Sequence, residues 1–302
     1  PQRSSSASWV YLSVRWDYPR GFRLSFALAA TVILTIGCGG GAGISGGSSL
    51  AVDWAAADAA ITQLNLYRAL ASVPPVELDD TLCYGCQRHA NYLALNQISL
   101  EVVGLAAHEE DSSLLGYSAT GAMAGLNSVI YEGVEPVEAI DNWMATFYHR
   151  LGLLDPNLIY VGFGSADGYQ VMDVRQGLLA DNIAVSTSVL FPAPGMSTAP
   201  RQYRKEIPHP ITGDNLLGVP ITAEFTGRLG WDIWSAQAQL LDLTTTQEVA
   251  IYFQAPGKPF LDGWDEAQVI ALIPQAPLAS TNTYRDTISA EVHYQAWTAE
   301  RD

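Results

Sequence analysis

The chain has 302 residues, 48% hydrophobic and only 15% charged, enough apolar side chain for a packed interior and enough length for two ordinary domains. Acids outnumber bases 31 to 15, for a formal net charge of −16. An acidic surface of this kind repels a phosphate backbone and excludes nucleic acid as a partner.

Residues 1–37 read as an export leader. Arg3, Arg15, Arg20 and Arg23, offset by Asp17, make a basic lead, and an apolar run follows from Leu24 to Ile36. The run is too short to span a bilayer and fits the core of a secretory signal. It ends in Thr35-Ile36-Gly37-Cys38, similar to the lipobox of bacterial lipoproteins, with Leu34 one residue upstream of the usual leucine. Cys38 is therefore the candidate lipidation site, and a membrane, reached through that lipid, the candidate partner. The alternative is a plain signal peptide cut elsewhere. Residues 38–50, rich in Gly and Ser, suit a flexible tether.

Val52 to Ala71 predicts a helix, with Ile61, Leu64, Tyr67 and Ala71 at helical spacing, and Pro74-Pro75 stops it. Asp79 or Asp80 can cap a second helix running to about Gln97, with the stripe Leu82, Cys86, Ala90, Leu93. Cys83 and Cys86 fall inside that helix. Positions i and i+3 lie on neighbouring helix faces, so a disulfide between them needs local distortion. Two thiols left in and near the core, a disulfide, or a weak metal pattern completed by His89 all stay open. His89 itself reads as a satisfied structural residue.

A loop carries His108 and the acids Glu109-Glu110-Asp111, which read as solvated, with calcium as the alternative; a Gly- and Ser-containing stretch, 116–128, follows. Pro136 suits a first helical position, and the run from Pro136 to His149-Arg150 reads as one amphipathic helix with Ile140, Trp143, Met144 and Phe147 inward. After the turn Asp155-Pro156-Asn157, the segments 160–164 and 169–174 predict a hairpin through Ala166-Asp167-Gly168. Helices followed by strands make the first unit, 51–190, α+β. A Pro-rich linker spans 191–210. From 211 to 302, short β-type segments alternate with turns, predicting an all-β sandwich of immunoglobulin-like class. Trp231, Trp234 and Trp264 read as its core, with an aromatic binding surface as the alternative.

The first unit resembles the CAP superfamily of cysteine-rich secretory proteins, antigen 5 and plant pathogenesis-related-1 proteins, in particular its bacterial SCP-like extracellular members. The matching pieces run in order over about residues 53–177: Asn65-Leu-Tyr-Arg68, Gln87-Arg-His89-Ala90, Ala107-His108, Trp143 with His149-Arg150, and Asp155-Pro156 with Val161-Gly-Phe-Gly164. The resemblance implies an α-β-α sandwich and a cleft lined by two His and two Glu, which in some members holds a divalent metal. The histidines carry over to His108 and His149. The glutamates do not: Gly-Glu-Asn becomes Gly125-Leu126-Asn127, and the second Glu falls near Thr146.

The expected cleft residues are His108, His149, Asn127, Glu109 and Trp143. A divalent metal such as Zn²⁺ on His108 and His149 is the candidate cofactor, though a stable zinc site wants three or four protein ligands. No GxSxG elbow or Ser-His-acid order is present. The leading expectation is an exported binding module of the cell envelope, taking a small lipid, peptide or cell-surface ligand. Its rival is a metal-assisted peptide or ester hydrolase in the same cleft.

Overall fold

The structure, a computed structural model, describes residues 9–15, 51–179, 187–213, 216–226, 231–264, 266 and 268–294. Cys38 and the tether lie outside the described residues. No helix among the described residues is long and apolar enough to cross a membrane.

The chain order is β1 (Trp9–Arg15), α1 (Trp54–Leu70), β2 (Glu77–Leu78), α2 (Asp80–Leu95), α3 (Leu100–Val103), α4 (Ala119–Leu126), β3 (Ser128–Glu132), α5 (Pro136–Met144), α6 (Tyr148–Leu154), β4 (Tyr160–Ala166), β5 (Tyr169–Asp173) and β6 (Thr187–Phe191). Then come β7 (Ile221–Thr226), β8 (Trp231–Asp242), β9 (Gln247–Glu248), β10 (Ile251–Gln254), β11 (Val269–Pro274) and β12 (Tyr284–Tyr294).

The first unit is a three-layer α-β-α sandwich around a sheet ordered β2-β4-β5-β3. Strand alternation assigns its two faces. Val161 and Phe163 of β4, Met172 of β5 and Val129 of β3 pack with α1 and α5. Val171 of β5 and Ile130 of β3 pack with Cys86, Ala90 and Leu93 of α2 and Ala124 of α4. On the α2 side β4 carries glycine at Gly162 and Gly164, with Ala166 packing beyond them on the same face. A Cβ on Gly162 would lie 2.3 Å from the Leu82 carbonyl carbon, and one on Gly164 2.2 Å from the Gln87 nitrogen. These two glycines let α2 lie directly on the strand. The hairpin turn needs Asp167 and Gly168 at φ 46° and 86°, as a tight type I′ turn does.

Arg68 is fully buried and ties the layers together. Its guanidinium donates to the carbonyls of Pro74 (2.7 Å), Leu153 (2.6 Å), Asp155 and Leu158 (both 3.1 Å). Burial pulls its pKa down to about 10, against the pull of Asp155, so it stays charged at neutral pH.

Several expectations are corrected. Of the readings left open for the cysteines, the structure has unpaired thiols rather than a disulfide: Cys83 and Cys86 are free and buried on one regular helix. Burial pushes the Cys83 thiol up to about 11 and Cys86 higher still, as inert core cysteines require. The loop after α2 contains α4, hidden in the sequence by its two glycines. The helix expected from Pro136 to Arg150 breaks after Met144 and restarts as α6.

The second unit is a sandwich of two four-stranded antiparallel sheets, ordered β1-β12-β8-β9 and β10-β11-β7-β6. Trp9–Arg15, in the segment read as leader, pair along Thr287–His293 of β12. The facing sides supply the core: Ile221, Ala223 and Phe225 of β7, Ile270 and Leu272 of β11, Leu240 of β8 and Ile288 of β12. The boundary expected at residue 190 falls inside β6, which pairs with β7.

The outer face of the second sheet is also covered. Val189 and Phe191 of β6 join the α1/α5 core, while Val269 and Ala271 of β11 pack on Phe147. Arg150 of α6 donates to Pro220 O at 2.7 Å and stacks over Phe191 at 4.8 Å. The two units therefore share apolar packing along α6, and a cleft lies beside that seam.

Candidate functional site

His108 ends the 3₁₀ turn Gly104–His108, and His149 sits in the first turn of α6. Both line each of two adjoining cavities, of about 600 and about 510 Å³, together with Leu105 and Ile207. The histidines and Ile207 thus stand where the two lobes meet. The first lobe runs along the seam to Glu224, Trp264 and Glu266 of the β sandwich. The second is bounded by α3, Ile130, Tyr131 and Glu132.

Each ring is held by Nδ1. His108 Nδ1 is 2.8 Å from the Gly125 carbonyl, which only accepts, so Nδ1 carries the proton. Burial lowers the His108 pKa, more strongly than this bond raises it, and His149 and His89 add to the lowering. The neutral ring consequently turns a bare Nε2 lone pair away from its anchor. His149 Nδ1 is 3.2 Å from Glu206 Oε2 and 3.3 Å from Thr146 Oγ1. The Thr146 hydroxyl donates its proton to Trp143 O at 2.6 Å, so both neighbours accept from Nδ1–H. Two imidazoles with tethered Nδ1–H groups leave Nε2 for a ligand, by the same outer-shell logic that orients metal-binding histidines.

Glu206 does more than orient His149. It is buried and accepts from the backbone N–H of Phe147 (2.7 Å), Tyr148 (2.9 Å) and His149 (3.3 Å). Those are the orphan donors of a new helix, and a carboxylate there also meets the favourable end of the helix dipole. The Tyr203 hydroxyl hydrogen-bonds Glu206 Oε1 at 3.3 Å. A residue of the linker therefore starts α6, breaks the long helix expected from sequence, and fixes His149.

The other expected cleft residues do not join the pair. Trp143 is fully buried in the α1/α5 core, its indole N–H donating to Ile130 O at 3.3 Å. Asn127 caps α4 through Met123 O, and Glu109 is exposed; neither lines the two cavities. Leu126, in the place of the family's glutamate, lines the first lobe with 57% of its surface exposed. Gly125 is needed beside it: a Cβ there would lie 2.5 Å from His89 Cε1 and 2.6 Å from His108 O. His89 is structural, as expected, buried between Glu110 (3.0 Å) and Ala107 O (3.0 Å). Glu110 is thus no solvated charge; it also accepts from Ser118 N and holds the loop to α2.

Residues 61–176 match the model of the CAP family, described as the cysteine-rich secretory protein family. Residues 61–176 are a CAP domain. A solved structure similar to part of the chain is an extracellular protein containing a SCP domain from Bacillus anthracis str. Ames, 16% identical, with a TM-score of 0.31, over 38% of this chain and 39% of that one. No curated protein matches the sequence.

The metal that some CAP domains hold does not fit this donor set. Three imidazoles, His108, His149 and His209, line the two lobes, but among the described residues no three His, Cys, Asp or Glu side chains are grouped to hold an ion. Sequence reasoning missed Glu206, Glu224, Glu266 and Ile207. Each lies past the CAP domain, where a charge in a linker or on an outward strand position reads as solvated.

Proposed function

We propose that the protein is an exported binding module whose ligand sits in the two-lobed cleft at His108 and His149. The observation that carries this reading is the junction itself: two adjoining cavities meeting at two imidazoles whose Nδ1 atoms are tethered. Cavities of this size, with apolar walls and a few convergent polar groups, suit a small organic ligand. Nε2 of each ring accepts a hydroxyl or amide proton from it. Export is supported by the basic lead and apolar run before Cys38, and anchoring by the lipobox-like sequence at Cys38. The immunoglobulin-like class of the β sandwich belongs to the same reading.

The hydrolase alternative has less support. A general base needs a nucleophile or a metal-bound water in reach. Among the described residues no Ser, Thr or Cys side chain hydrogen-bonds Nε2 of either ring; Thr146 is on the Nδ1 side of His149.

The test uses N-phenyl-1-naphthylamine, a neutral fluorescent amphiphile, added to the full chain. Its emission should rise and shift to the blue, saturating at one site, and the Leu105→Asp/Ile207→Asp variant should lose the effect with its circular dichroism unchanged. An unchanged response in that variant places the probe elsewhere and refutes the cleft.

A further inference from the structure

Strand β7 poses a question that the CAP fold does not answer. Its alternate residues Ile221, Ala223 and Phe225 face the sandwich core. Glu224 therefore points to the opposite face, the one that α6 covers. Its neighbours across the sheet are Val189 and Val269, both buried against the CAP domain. A carboxylate between two valines on a covered face is costly unless something balances it. No ion pair with Arg or Lys reaches it among the described residues. The Glu224 side chain instead lines the first lobe of the cleft.

The surroundings of Glu224 add negative charge. Asp155 and Glu266 line the same lobe, and burial, then these two carboxylates, push the Glu224 pKa up to about 8, while Arg150 pulls it back. Arg175 is a cation on the lobe's wall. Beside the acids stands an aromatic pair: the rings of Tyr148 and Trp264 lie 5.2 Å apart at 53° and line the lobe together. The Tyr148 hydroxyl is buried without a hydrogen-bond partner.

We propose that this lobe binds an organic ammonium ion, with Glu224 as its counter-ion and the Tyr148 and Trp264 rings as its wall. The inference rests on reading the cleft as a ligand site and names the ligand's class. Ring faces attract a diffuse cation, most strongly when it is desolvated, and a nearby carboxylate supplies the charge balance. A compact metal ion would want carboxylates converging with other hard donors, an arrangement absent among the described residues. A primary amine can in addition donate to the Tyr148 oxygen, whereas a quaternary ammonium uses the rings alone.

Isothermal titration calorimetry of the full chain at pH 8.5 tests this with three probes: choline, butylammonium and 3,3-dimethylbutan-1-ol, the uncharged isostere of choline. At least one ammonium should bind tenfold or more tightly than the alcohol. Glu224→Gln, which keeps the shape, should cost that ammonium at least tenfold, and Trp264→Leu should weaken it with the calorimetric melting transition intact. Equal affinity for choline, butylammonium and the alcohol, or full affinity in Glu224→Gln, overturns the proposal. So does preferential binding of Ca²⁺ lost in the same variant. If N-phenyl-1-naphthylamine still binds while neither ammonium does, the cation site falls and the ligand cleft stands; loss of both removes both readings.

Discussion

Arg68, fully buried, and Glu224, half-buried at the cleft, set the energetics at the scale of single residues, with opposite consequences. Arg68 is satisfied by four carbonyls from three segments, so removing it strands acceptors in the core. Arg68→Met should cost ~3 kcal/mol or more in a urea titration, close to what a small domain can lose. Glu224 is the reverse case. Its pKa is raised on folding, so the folded state holds the proton more tightly than the unfolded chain. Stability is then full below the ordinary carboxylate range and falls as pH rises from about 4.5 to about 8. Asp155, Glu266, Arg150, His149 and Tyr148 also bear on this region, so the useful quantity is a difference between proteins. Glu224→Gln should match the parent near pH 4 and exceed it by ~1–3 kcal/mol at pH 9. A variant less stable than the parent at pH 9 would show that the ionised carboxylate is compensated in place.

Among elements, β4 and α6 carry the most instructive contrasts. The motif Val161-Gly-Phe-Gly164 is legible in sequence, and the structure gives its reason: apolar residues on the α1/α5 side and no side chain where α2 lies on the strand. Gly164→Ala should destabilise by at least ~2 kcal/mol in denaturant, because the added methyl meets backbone atoms of Cys86 and Gln87 that cannot turn aside. The path of α6 was not legible. Periodicity joins Pro136 to Arg150 in one helix, because inward Ile140, Trp143, Met144 and Phe147 keep a helical spacing. The break is tertiary: Glu206, more than fifty residues on, accepts from the N–H groups of residues 147–149. Glu206→Gln should cost ~1–2 kcal/mol in thermal unfolding and loosen the first turn of α6, read as faster amide exchange at Tyr148 and His149. Protection equal to the parent's would remove Glu206 from the account of the break.

For the whole molecule, the sequence announced two units of the right classes, and its resemblance to the CAP family pointed to His108 and His149 as the residues to look for in a cleft. It could not show that the units share a core. A strand reads as one face apolar and one face free, and β7 obeys that pattern; only docking reveals that its free face is covered. Val189, Phe191, Val269 and Ala271 packing on the CAP domain predict one cooperative unfolding transition for the described fold. Differential scanning calorimetry should give a van't Hoff enthalpy equal to the calorimetric one. Two separated transitions would mean that the seam is weak and the first lobe is not a built cavity.

The central claim is that His108 and His149 form one ligand site, and their ring nitrogens report on it most directly. Long-range ¹H–¹⁵N spectra of the full chain should show both rings protonated at Nδ1 and bare at Nε2. On addition of N-phenyl-1-naphthylamine, both Nε2 signals should move with one common binding curve. Nε2–H tautomers, or a shift confined to one ring, would contradict the shared cleft.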